Sequence, residues 1–165
     1  MSTINRRILI IDDNRAIHDD FRKILSPTRL TNSVLNAMED ALFGNAEPDI
    51  EVDAFEISSA YQGVDAVRLV SEALSAGQPF AMAFVDVRMP PGIDGVETIR
   101  SIWETAPGTQ VVICSAYSDY SWEEIIAKLG QSDRLLILRK PFDTVEVQQL
   151  ASNLTAKWSR QQSES

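Results

Sequence analysis

The chain has 165 residues, enough for one domain with some chain to spare, and its 44% hydrophobic content can build a sizeable core. A formal net charge of −9 opposes binding to nucleic acid phosphates or to an anionic membrane, so proteins are the expected partners. The single cysteine, Cys114, can form no internal disulfide, which fits a reducing cytoplasm, and the apolar run behind Arg6-Arg7 is broken at once by Asp12 and Asp13, unlike a signal peptide or a membrane span.

Short apolar runs alternate with longer amphipathic stretches, the pattern of βαβ units around a parallel sheet. The run Ile8-Leu9-Ile10-Ile11 predicts a strand over 7–11 that ends in Asp12-Asp13, and a helix over 15–25 follows. Residues 26–52 are longer than the short turn a minimal unit needs. Within them Leu30, Val34, Met38 and Leu42 recur at helical spacing, with Leu35 and Phe43 beside them and Gly44 as a stop, so an additional helix is expected. Its apolar stripe either lies on the parent domain or forms a dimer or partner surface.

Further strands are predicted over 54–58, 81–85, 110–114 and 135–138, with helices over 62–76, 94–105, 121–130 and 143 to about 158. Ser121 with Glu124 makes a capping box, Gly77-Gln78-Pro79 ends the second helix, and Pro107-Gly108 ends the third. Cys114 sits in the run Val111-Val112-Ile113 and reads as a buried core residue. The last helix carries Val147, Leu150, Leu154 and Trp158 before a polar tail over 159–165, which would be the start of a linker if the chain is a piece of a longer protein. One domain therefore spans 1–158.

Two of the apolar runs end in acids: Ile8 to Ile11 in Asp12-Asp13, and Ala83-Phe84-Val85 in Asp86. If both are buried parallel strands, the three carboxylates emerge at the C-terminal edge of the sheet, where open α/β sheets place their ligands. Carboxylates held together share protons or are neutralised by a cation. An all-oxygen set of two or three suits Mg²⁺, which keeps several waters and seeks a phosphate partner. Ser115-Ala116 follows the fourth strand and Lys140-Pro141 the fifth, so both join the same edge. His18, four residues past Asn14, reads as a partly exposed helix residue, and Trp103, Trp122 and Phe142 as core or groove aromatics.

This ordered set, with Met89-Pro90 after Asp86 and Asp94-Gly95 opening the next helix, resembles the receiver domain of two-component response regulators over nearly the whole chain except the insert. The resemblance implies a flavodoxin-like (βα)5 doubly wound sheet of order 2-1-3-4-5. It also implies that Asp86 accepts a phosphoryl group from a phosphohistidine on a sensor histidine kinase or phosphotransfer protein. Asp13, Asp86 and the main-chain carbonyl of Arg88 would then ligate Mg²⁺, with Asp12 holding a metal-bound water, while Lys140 and Ser115 neutralise the other phosphoryl oxygens. Arg88 and Tyr117 would flank the phosphoryl group and tune its hydrolysis. Such a domain is a phosphorylation-controlled switch that assists its own phosphorylation and dephosphorylation rather than an enzyme. Its output would be a docking protein or a covalently linked domain, with the insert or the output face as a candidate homodimer surface.

Two features depart from the family. Ile137 stands where many receivers carry the switching Tyr or Phe, and Pro90-Pro91-Gly92-Ile93-Asp94-Gly95 is one residue longer than the commonest loop. The competing readings are a vestigial receiver-like interaction module and a Mg²⁺-dependent phosphatase of the haloacid dehalogenase type; the latter wants an acid two residues after the nucleophile, where this chain has Arg88.

Overall fold

Ile8, Leu9, Ile10 and Ile11 are wholly buried, because the strand they form has a neighbour on each side and helices over both faces. The computed structural model describes residues 4–25, 55–87, 95–115, 122–130 and 132–164. In chain order these form β1 (Arg7–Ile11), α1 (Arg15–Leu25), β2 (Glu56–Ala60), α2 (Gly63–Ser75), β3 (Met82–Asp86), α3 (Gly95–Thr105), β4 (Gln110–Ser115), α4 (Trp122–Leu129), β5 (Leu135–Arg139) and α5 (Thr144–Glu164). The five strands make one parallel sheet of order β2-β1-β3-β4-β5, the flavodoxin-like arrangement expected.

The twofold periodicity of a strand sends alternate side chains to opposite faces. Leu9, Ile11, Ala83, Val85, Val111 and Ile113 therefore pack with Ala66 and Val70 of α2, Ile99 and Ile102 of α3, and Ile125 of α4. Their neighbours Ile8, Ile10, Met82, Phe84, Val112 and Cys114 meet Phe21 and Leu25 of α1 and Val147, Ala151 and Leu154 of α5. Burial on both faces explains why β1, β3 and β4 read as continuous apolar runs rather than alternating ones. The end of α2 has a local cause: Gly77 adopts φ +73°, open to glycine at little cost, and the amides of Gly77 and Gln78 satisfy the carbonyls of Leu74 and Ala73.

Two boundaries differ from expectation by more than one residue. β2 lies two residues later than predicted, because pairing sets Glu56 opposite Arg7 and Ala60 opposite Ile11. At this sheet edge the polar Ser58 and Ser59 are acceptable strand residues, and the Ser59 hydroxyl is hydrogen-bonded by side chains of α1. The last helix continues through the supposed polar tail to Glu164. Polar side chains there signal position rather than a stop: the Ser159 hydroxyl accepts the Asn5 amide N–H at 2.8 Å, and Gln161 accepts from Gln110 at 3.3 Å. No described helix is long and apolar enough to cross a membrane. The additional helix expected within 26–52 lies outside the described residues.

Candidate functional site

The parallel register brings separate strand ends to one edge: Ile11 pairs with Val85, Asp86 with Cys114, and Ser115 with Arg139. Asp12, Asp13, Asp86, Ser115 and Lys140 therefore gather at the C-terminal end of the sheet, where β1 and β3 are adjacent and the strand order reverses. One carboxylate oxygen from each of Asp12, Asp13 and Asp86 lies within 4.8 Å of the others. Asp12 and Asp86 are buried and Asp13 is exposed, so the cluster has a buried floor and one open side.

The Lys140 ammonium reaches both buried acids, at 3.3 Å from Asp86 Oδ1 and 3.4 Å from Asp12 Oδ2. Its backbone is held by the bond from Lys140 N–H to the Ser115 carbonyl at 2.9 Å, and the Lys140-Pro141 peptide is cis. Burial alone would push the ammonium's pKa down, but the carboxylates of Asp12 and Asp86 outweigh it and hold the value above that of an ordinary lysine. Among the described residues one ammonium faces the three carboxylates, and the donors of the cluster are all hard oxygens. That donor set fits Mg²⁺.

Asp12 is fixed on several sides. Its N–H donates to the Ala60 carbonyl at 3.1 Å, and its Oδ1 accepts the Asn14 N–H at 2.9 Å. His18, expected to be partly exposed, is only 2% exposed and its Nε2 lies 2.7 Å from the Asp12 carbonyl oxygen. The burial has a readable cause, since His18, Phe21 and Leu25 follow helical i, i+3, i+7 spacing and share the inner face of α1. That spacing is the signal that reading His18 alone had missed.

Gly95 is the second residue whose role exceeds the sequence reading. It begins α3 directly against the backbone that carries Asp86, its N–H donating to the Val87 carbonyl at 2.8 Å. A Cβ at position 95 would meet the Asp86 carbonyl oxygen at 2.1 Å, so only glycine allows this approach. Gly95→Ala is expected to destabilise the protein by about 1–3 kcal/mol, as overpacking does, and to displace Asp86. Urea unfolding would read the first effect and loss of Mg²⁺ binding the second.

Cys114 is buried as expected, and burial pushes its thiol far up from the ordinary value. A thiol reagent at pH 8 should therefore label it at the rate at which the core opens, slow in native protein and complete in urea. Rapid labelling of the native protein would contradict that burial. Trp103 and Phe142, expected as core or groove aromatics, are half-buried: the Trp103 indole donates to the Thr109 carbonyl at 2.9 Å, and the Phe142 ring lies 5.1 Å from that of Phe21. Arg88, Met89-Pro90, the loop from Pro90 to Asp94, Ala116, Tyr117 and Ser121 of the capping box lie outside the described residues, as does the side chain of Trp122.

The model of the response regulator receiver domain family matches residues 39–152, more than half of the sequence, and the chain belongs to that family. Three solved structures illustrate the shared fold. A two-component transcriptional regulator AraC from Clostridium phytofermentans ISDg is 24% identical, with 94% of this chain and 95% of that one covered and a TM-score of 0.65. A CheY-like response regulator receiver domain protein from Methanospirillum hungatei JF-1 is 19% identical over 97% and 98% of the two chains, with a TM-score of 0.62. The signal receiver domain of an HD domain-containing protein from Pseudomonas fluorescens Pf-5 is 16% identical over 99% and 96%, with a TM-score of 0.67. Comparison with curated proteins finds no match in sequence. The family match begins after β1, so Asp12 and Asp13 are placed in the site by the geometry alone.

Proposed function

We propose that this receiver domain takes a phosphoryl group on Asp86 from a phosphohistidine of a sensor histidine kinase or phosphotransfer protein and acts as a phosphorylation-controlled switch. The observation that carries the reading is the Lys140 ammonium 3.3 Å from Asp86 inside a cluster of three carboxylates. A carboxylate oxygen of Asp86 attacks phosphorus, the new P–O bond replaces the P–N bond, and the departing imidazole takes a proton from solvent. Asp13, Asp86 and the Arg88 carbonyl would hold Mg²⁺, with Asp12 holding one of its waters. When bound, the ion neutralises charge on a phosphoryl oxygen. Lys140 neutralises a second oxygen and the Ser115 hydroxyl donates to a third.

Lys140 also lines a cleft of about 640 Å³ with Ile17, Asp20, Ile24 and Phe142. A partner seated in that cleft would present its phosphohistidine beside Asp86, because one lysine borders both places. The movement of Ser115 toward the phosphoryl group would repack the β4–β5 face. Ile137, partly buried there, cannot switch as an aromatic ring does. Intact mass after incubation with Mg²⁺ and a small-molecule phosphodonor tests the reading. A single phosphoryl adduct that needs Mg²⁺ and is absent from Asp86→Asn is expected; no adduct where a control receiver is labelled would favour a vestigial interaction module.

A further inference from the structure

His18 and its surroundings form a directed chain of hydrogen bonds that ends on Asp12. Arg22 Nη2 donates to the Ser59 hydroxyl oxygen at 2.9 Å, and the Ser59 hydroxyl and His18 Nδ1 are 2.9 Å apart. The Asp12 carbonyl can only accept, so His18 Nε2 must carry the proton across the 2.7 Å contact. In a neutral ring Nδ1 is then an acceptor, and the Ser59 hydroxyl supplies the proton it needs while its oxygen receives the Arg22 N–H. Every donor faces an acceptor in one direction: Arg22, Ser59, His18, Asp12. The Tyr61 ring lies 4.5 Å from the His18 ring and the Arg15 guanidinium lies 4.2 Å from the Tyr61 ring, so the imidazole is roofed as well as tethered.

A histidine held at both ring nitrogens on the inner face of α1 is a rigid strut between the edge strand and the backbone of an acid in the cluster. A nonpolar residue of similar size would fill the same space but leave the buried Asp12 carbonyl without this donor. We propose that His18 is a positioning residue for the Mg²⁺ site: through its Nε2–H it sets the main chain of Asp12, and with it the carboxylate that holds a metal-bound water. This inference rests on the reading of the acid cluster as a Mg²⁺ site.

Calorimetric titration with Mg²⁺ tests it, alongside metal-free unfolding in urea. Groups that orient direct metal ligands typically change affinity about 10–100-fold when removed; His18 acts one step further out, through the Asp12 main chain, so a weakening at the lower end, about 10-fold, is expected for His18→Leu. His18→Gln, whose amide can place a donor near the Nε2 position, should return to within about threefold of the parent even if its stability remains lower, an effect that space-filling alone would not produce. A folded His18→Leu protein with unchanged Mg²⁺ affinity would overturn the proposal, as would equal losses in the Leu and Gln variants. Should His18→Leu fail to fold, Ser59→Ala decides: it removes the hydroxyl that locks the ring, and unchanged affinity refutes the strut. A parent protein that binds no Mg²⁺ would refute the reading of the cluster itself and remove the basis of the inference, an outcome distinct from a variant that matches a binding parent.

Discussion

Lys140→Met is expected to slow phosphorylation of Asp86 by about 10²–10³ at saturating Mg²⁺, the usual cost of removing one preorganised group that faces developing charge. The ammonium stands 3.3 Å from Asp86 and 3.4 Å from Asp12, so the substitution also removes a cation that faces two buried carboxylates. Breaking a fully buried pair costs about 3–5 kcal/mol; the lysine side chain is 26% exposed, which reduces the expected loss in metal-free protein to about 1–3 kcal/mol. Because the folded pKa of Lys140 lies above its unfolded value, this contribution is fully present below the ordinary lysine value of about 10.4. It disappears as pH rises through the elevated folded value. Urea unfolding of both proteins from pH 7 to 11.5, taken as roughly spanning the lysine range, should show a constant difference that narrows only at the alkaline end. A difference that already narrows near neutrality would argue against the pairing.

Mg²⁺ is expected to stabilise the protein, and Asp13→Asn to remove most of that effect. A ligand that binds only the folded state at 100 times its Kd adds about 2.7 kcal/mol, which for a domain of this size raises Tm by roughly 5–10 °C. Asp13 is the exposed member of the cluster, so it can be changed without leaving a hole in the core. Thermal melts with Mg²⁺ and with EDTA should give a large interval for the parent and a small one for Asp13→Asn. The variant in EDTA should melt no lower than the parent, because one of three mutually repelling charges has gone. A metal-free variant much less stable than the parent would mean that Asp13 has a structural role instead.

The sheet was legible because burial on both faces leaves a local mark: Ile8 to Ile11, Ala83 to Val85 and Val111 to Cys114 are apolar at every position. β2 was harder to place, since an edge strand may be polar and its bounds follow from pairing with Arg7 to Ile11 rather than from its own composition. The end of α5 was misplaced for a related reason. Ser159, Gln161 and Gln162 are polar yet continue a helix, and two of them bond to Asn5 and Gln110 from distant parts of the chain.

By itself the sequence determined which residues could meet: acids at the ends of buried runs, a lysine before a proline, and the strand-and-helix alternation that sends all of them to one edge. These are short-range properties, set by periodicity and by the cost of burying polar groups. Only the tertiary structure decided the distances. Lys140 is 128 residues from Asp12 and 54 from Asp86, and its contact with both depends on strand order and register. The same holds for His18, whose neighbour Ser59 belongs to a strand 41 residues away, and for Gly95, whose smallness matters only because the Asp86 backbone lies where a Cβ would be. Packing brings such groups within hydrogen-bond reach, and no local pattern encodes that final approach.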